Sequence, residues 1–138
     1  MSLLHILLAE DNSGDVLLVR QALVENGIQH ELHVVQDGEQ ALRFVARMGK
    51  PGEPPCPDIF LLDLNLPRVD GPQVLREFRR HSECTETPVI VVTSSDAPKD
   101  RGEMAALGVT RYFKKPTDLD AYMELGAVVL EAVAGKSK

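Results

Sequence analysis

Pro57-Asp-Ile-Phe-Leu-Leu-Asp63-Leu-Asn-Leu-Pro67 is the stretch that decides the fold. Its core, Ile59 to Leu62, is apolar without interruption, and turn residues bound it. An amphipathic strand would alternate; an unbroken run of this length fits a central strand of a parallel sheet, covered on both faces. Val89-Ile90-Val91-Val92, closed by Thr93, reads the same way. Outward from these two, His5-Ile6-Leu7-Leu8-Ala9, Leu32-His33-Val34-Val35 and Tyr112-Phe113 are further short strands.

The segments between them have helical period. In the first, Val16, Val19, Leu23 and Val24 are expected to share one buried face, with Arg20 and Glu25 outward and Gly27 as the stop. The second opens on Asp37-x-x-Gln40 and carries Ala41, Leu42 and Val45; the third opens on Asp70-x-x-Gln73 and carries Val74, Leu75 and Phe78. A fourth is expected from about Pro98 to Leu107, stopped by Gly108, and a fifth from about Thr117 to Ala134. The tail from Gly135 is expected to fray. Five strand–helix alternations specify an α/β domain: a doubly wound, five-stranded parallel sheet with helices on both faces. One stretch departs from the pattern, the Pro/Gly-rich loop from Met48 to Pro57.

At 138 residues the chain is the size of one domain spanning 1–138, with no linker to a second. Its 43% hydrophobic and 26% charged residues are ordinary for a soluble protein. No apolar run is long enough to span a bilayer, and Met1-Ser2 leads straight into a short apolar segment without a signal peptide's basic region. A cytoplasmic location is expected. The formal charge of −6 argues against direct nucleic-acid binding. Cys56 and Cys84 lack metal-type spacing and are expected to be two reduced thiols.

In a sheet of this kind the ligand site lies beyond the carboxyl ends of the strands. The first strand ends in Glu10-Asp11, the third in Asp63 and the fourth in Thr93, while Lys115 follows the fifth. Three acids, a hydroxyl and an amine therefore converge on one edge. Each alone has an ordinary reading: a cap, a strand end, a surface lysine. Together they require that reading to be invoked at four strand ends of one sheet. Crowded carboxylates repel unless a cation intervenes, and a hard-oxygen cluster suits Mg²⁺. Asp63, emerging from the centre of the sheet, is the candidate nucleophile, and a carboxylate attacking phosphorus gives an acyl phosphate. Lys115 can pair with Asp63 and then with a phosphoryl oxygen, and Thr93 can donate to another.

The ordered set resembles the receiver family of response regulators over nearly the whole chain. The matching pieces are Glu10-Asp11, Asp63-Leu-Asn-Leu-Pro67 with Asp70-Gly71, Val-Val-Thr93-Ser and Lys115-Pro116. The resemblance implies a flavodoxin-like sheet of strand order 2-1-3-4-5. It implies that Asp63 is the phosphoacceptor, with Mg²⁺ held by Asp11 directly, Glu10 through water, Asp63, and the backbone carbonyl of Asn65. Thr93 would move toward the phosphoryl group and Tyr112 would be the aromatic switch. Lys115 is preferred to Lys114 because it precedes Pro116 in a bond that this family often holds cis. Ala9-Glu-Asp-Asn-Ser-Gly-Asp-Val-Leu-Leu-Val19, the Pro-rich loop and Asp-Leu-Asn-Leu-Pro-Arg68 resemble a narrower group of single-domain receivers that serve phytochrome-type and related sensor histidine kinases. Ser13 stands where that group often has Pro. The implied partner or homodimer surface is the face of helix four, strand five and helix five, although receivers also use other faces.

Three rivals follow from the same residues. A haloacid-dehalogenase-type phosphatase wants Asp-x-Asp, but Asn65 occupies the second position and its amide cannot transfer the proton, so slow hydrolysis and a signalling role rather than enzymatic turnover are expected. Ser95 stands where it can influence water's approach. A flavodoxin-like cofactor binder would need a phosphate-cradling loop where the anionic Glu10-Asp11 stands. A receiver fold used as an interaction module without phosphorylation keeps the fold and drops the chemistry. A DNA-binding output domain is not expected, because the chain ends after the fifth helix.

Overall fold

The computed structural model describes residues 3–81, 84–94, 102 and 104–136. Five strands, β1 (Leu4–Ala9), β2 (His30–Val35), β3 (Ile59–Leu62), β4 (Val89–Thr93) and β5 (Arg111–Lys114), form one sheet of order β2-β1-β3-β4-β5. Every pairing is parallel. The two unbroken apolar runs are β3 and β4, and both are buried at every position.

Side chains of alternate residues leave a strand on opposite faces, so one sheet builds two cores. Leu7, Phe60, Leu62, Val89 and Val91 face α2 (Gly38–Arg47) and α3 (Gly71–Arg79), where Phe44, Val45, Val74, Leu75 and Phe78 meet them. Ile6, Leu8, Ile59, Leu61, Ile90 and Val92 face α1 (Ser13–Glu25) and the C-terminal helix Leu119–Lys136, which contribute Val19, Leu23, Leu125 and Val129. Each fully buried side chain of this size adds roughly 1.5–3 kcal/mol.

The helix signals are realised at α2 and α3. Asp37 caps α2 by accepting from the Gln40 N–H at 2.8 Å, and Asp70 caps α3 by accepting from the Gln73 N–H at 2.9 Å. Asn12 caps α1, accepting from the Asp15 N–H at 2.9 Å. Gly27 closes α1 with φ 68°, a left-handed turn that glycine adopts without steric cost.

Four expectations are corrected. Val24 is 68% exposed: the α1 stripe that packs inward is Val19, Ala22 and Leu23, and residue 24 falls on the far side of it. The C-terminal helix continues through Gly135 to Lys136, against the fraying expected from Gly135, and residues 137 and 138 of that tail lie outside the described residues. The Lys115–Pro116 peptide bond is trans. Cys56 and Cys84 are joined by a disulfide with Cα atoms 5.9 Å apart, because the loop before β3 and the approach to β4 lie side by side, which sequence spacing does not reveal. Half of the expected fourth helix (98–101 and 103) and Ser95 fall outside the described residues; within them, 102 and 104–106 are helical and Gly108 follows at φ 78°.

Candidate functional site

The sheet ladder extends one residue past the strands and so fixes where the site residues stand. The Glu10 N–H donates to Val35 O (2.9 Å), the Asp63 N–H to Ala9 O (3.0 Å) and the Lys115 N–H to Thr93 O (2.8 Å). Each functional side chain thus begins from backbone that the sheet holds rigid.

Lys115 is the hub. Its ammonium lies 2.8 Å from Glu10 Oε1, 3.0 Å from Asp15 Oδ2 and 3.1 Å from Asp63 Oδ2, with a side chain only 12% exposed. Burial alone would lower its pKa, but the bonds to Glu10 and Asp15 and the charge of Asp63 prevail and hold it above the ordinary lysine value. Glu10 is pushed up to about 7, first by burial and then by the charge of Asp63, against the lowering effect of Lys115. One lysine therefore does not satisfy the acids around it.

Asp63 is held from both sides. Oδ1 accepts from the Asn65 N–H at 3.0 Å and Oδ2 from Lys115. Asn65 also extends its side-chain amide to Thr93 Oγ1 at 3.4 Å, linking the ends of β3 and β4. Thr93 is fully buried. Tyr112, the register partner of Val91, packs against the α2–α3 core, the face on which Thr93 also projects two residues after Val91.

The loop 63–70 is shaped by its neighbours. A Cβ on Gly71 would stand 3.0 Å from the Leu64 Cα, so glycine lets α3 start against the Asp63–Leu64 backbone. Arg68 adopts φ 76°, a conformation disfavoured for side chains other than Asn or Asp, and faces Asp37 and Glu39 at 3.5 Å each. The Gly38 N–H donates to Pro67 O at 3.0 Å. The start of α2 therefore buttresses the loop that carries Asn65.

Ligand oxygens of Glu10, Asp11 and Asp63 lie within 4.8 Å of one another, with Glu10 and Asp63 buried and Asp11 exposed to admit an ion. Hard carboxylate oxygens, an exposed entrance and a glutamate whose burial resists ionisation fit a small divalent cation.

The structure gathers Glu10, Asp11, Asp63, Asn65, Thr93 and Lys115, all named from the sequence, at one edge of the sheet, with Tyr112 on the adjoining strand. The sequence reading missed Asp15 and Tyr122. The Tyr122 hydroxyl donates to Asp15 Oδ1 at 3.2 Å, and burial followed by the Asp15 charge raises its pKa. Asp15 stands three residues after the Asn12 cap, an arrangement that explains it locally and conceals its contact with Lys115 100 residues away.

The profile of the family described as response regulator receiver domain matches residues 6–125. Response regulator Rcp1 of Synechocystis sp. is 38% identical over 114 residues, spanning 83% of this chain and 78% of that protein. The crystal structure of the phosphorylated cyanobacterial phytochrome response regulator RcpA superposes with a TM-score of 0.84 at 29% identity, covering 99% of this chain and 98% of the other. The Mn²⁺-bound form of Rcp1 superposes at 0.80 with 34% identity over 91% of each chain.

Proposed function

This chain belongs to the response regulator receiver family of two-component signalling, and we propose that it is a phosphorylation switch that takes a phosphoryl group from a sensor histidine kinase onto Asp63. The observation that carries the reading is the Asp63 carboxylate fixed between Lys115 and the Asn65 N–H at the mouth of an acidic cluster. The kinase proposed is phytochrome-type, on the likeness to Rcp1 and RcpA.

Mg²⁺ would be held by Glu10, Asp11, Asp63 and the Asn65 carbonyl, and it supplies positive charge that offsets the charge of the phosphoryl oxygens. An Asp63 carboxylate oxygen attacks phosphorus, the donor's bond to phosphorus breaks, and the leaving group keeps that electron pair. Lys115, already at Asp63, reorients to a phosphoryl oxygen, and the Thr93 hydroxyl exchanges the Asn65 amide for another. Moving a two-state equilibrium from minor to dominant takes roughly 5.5 kcal/mol of differential interaction. Two charge-assisted contacts at about 1.5–3 kcal/mol each reach that order. Withdrawal of Thr93 opens space toward Tyr112. The surface of β5 and its flanking helices, which carries a 290 Å³ depression lined by Ala105, Val109 and Tyr112, then reports the state to a partner or to a second copy. Asn65, lacking an acid for proton transfer, suits a lasting signal rather than enzymatic turnover.

The test is intact-protein mass after acetyl phosphate and Mg²⁺, on wild type and Asp63→Asn. One phosphate adduct that needs both Mg²⁺ and Asp63 is expected. No adduct on the wild type, with beryllofluoride also failing to bind, would leave a receiver-shaped scaffold and end the proposal.

A further inference from the structure

A second donor cluster lies away from the acidic edge, on the face of β1 and β2 that α2 covers. The parallel register sets His5 opposite Glu31 and Leu7 opposite His33, so residues 5, 31 and 33 project from one face. His5 and His33 stack with ring centroids 5.9 Å apart and planes 16° apart, and His33 leans on Phe44 of α2. Nδ1 of His5 is 3.5 Å from Glu31 Oε2, and one ligand atom from each of the three residues lies within 4.8 Å of the others.

Two ring nitrogens here, His5 Nδ1 and His33 Nε2, are buried without a hydrogen-bond partner. Buried polar atoms are nearly always paired, so two together beside a carboxylate call for an explanation. From this we infer that His5, Glu31 and His33 form a metal site for a borderline cation of the Zn²⁺ class, distinct from the acidic pocket. Two imidazoles and a carboxylate are a His₂Glu set, which Zn²⁺ takes with one open position, whereas Mg²⁺ prefers oxygen alone. Bonds of about 2.0–2.1 Å in a tetrahedron place ligand atoms about 3.3 Å apart, close to the His5–Glu31 spacing. Glu31, with a side chain 54% exposed, has the freedom to close the remainder.

The same segment supplies an internal control. His30 pairs with Leu4 in register, on the other face, and its Nδ1 is engaged with Ile28 O at 2.9 Å. His5 precedes Glu10 by five residues of strand, about 16 Å, so the two sites do not share ligands. An ion here would clip the edge strand β2 to β1, and the inference stands independently of phosphorylation at Asp63.

The experiment is a Co²⁺ titration of the untagged chain in excess Mg²⁺, read by the visible absorption of four-coordinate Co²⁺ and its displacement by Zn²⁺. One equivalent is expected to bind, unchanged in Asp63→Asn and in His30→Gln. His5→Gln and His33→Gln should each weaken binding at least about tenfold. Glu31→Gln, a substitution at an exposed position that leaves folding intact, should weaken it comparably and so decides the matter if a histidine variant misfolds. Absence of the absorption in wild type, its loss in Asp63→Asn, or wild-type binding by Glu31→Gln would each overturn the site.

Discussion

Lys115→Met is the sharpest probe of the acidic site. The substitution keeps the length of the stem and removes one charge from among three carboxylates at 2.8–3.1 Å. Removing one partner of a buried ion pair costs about 3–5 kcal/mol, because the charge left behind is uncompensated. Here the lower end applies, about 3 kcal/mol: Asp15 is 22% exposed at its side chain, and Glu10, already lifted to about 7, takes up a proton rather than stay charged. With a slope of about 2 kcal/mol per molar urea, the midpoint in EDTA should fall by about 1.5 M. Mg²⁺ should reverse most of this. The variant's site carries one more net negative charge and binds the cation more tightly, and in excess Mg²⁺ a Kd about thirtyfold below that of the wild type narrows the gap by about 2 kcal/mol. Urea unfolding of wild type and variant, each in EDTA and in excess Mg²⁺, tests both halves. The gap should shrink to about 1 kcal/mol or less with the metal. A gap of the same size in both buffers, or one under about 1 kcal/mol in EDTA, would show that Lys115 is not the counter-charge of a cation site.

Other outcomes follow from single contacts. In Gly38→Ala the new Cβ would overlap the carbonyl oxygen and Cβ of Val69; a loss of about 2–3 kcal/mol in urea is expected, with weaker Mg²⁺ binding in a fluorescence titration because the displaced loop carries Asn65. Thr93→Ala should accept phosphate as fast as wild type by intact mass, yet fail to transmit it. Equal partner binding or dimerisation by its two forms is the expected sign, and a wild-type response would remove Thr93 from the switch. Reduction with dithiothreitol, or Cys56→Ser, opens a loop of 28 residues between the bridged cysteines and should lower stability by about 3.5 kcal/mol; no change in the urea midpoint on reduction would mean that the thiols are free in solution.

Much of this molecule was legible because its signals are local. Apolar runs bounded by turn residues marked β3 and β4 to the residue or nearly so, and Asp37 and Asp70 announced the starts of α2 and α3 through caps that form within four residues. The rule that ligands gather at the carboxyl ends of parallel strands then placed Glu10, Asp11, Asp63, Thr93 and Lys115 together. What escaped depends on distance through space. Asp15 and Tyr122 join the site by contacts between α1 and the C-terminal helix, and neither position carries a pattern of its own. Val24 continues the apolar spelling of α1 but not its buried angle, so hydrophobicity alone misplaced it. The pairing of Cys56 with Cys84 belongs to the same class, since only the packed loops put the two side by side. A bridge of this kind is uncommon in a reducing compartment, which gives the dithiothreitol experiment a bearing on where the protein works.

The contacts that close the acidic site also set when it can exist. Asp15 reaches Lys115 across 100 positions, and Tyr122 reaches Asp15 across 107. During synthesis, the acids of the first and third strands leave the ribosome well before Lys115, which meets all three of Glu10, Asp15 and Asp63. Contacts of such sequence separation form late, after the loop entropy of nearly the whole chain has been overcome. A nascent or nicked chain ending short of Lys115 would therefore display the carboxylates with no lysine to order them. The acidic cluster thus acquires its lysine just after β5, and Asp15 its tyrosine with the C-terminal helix.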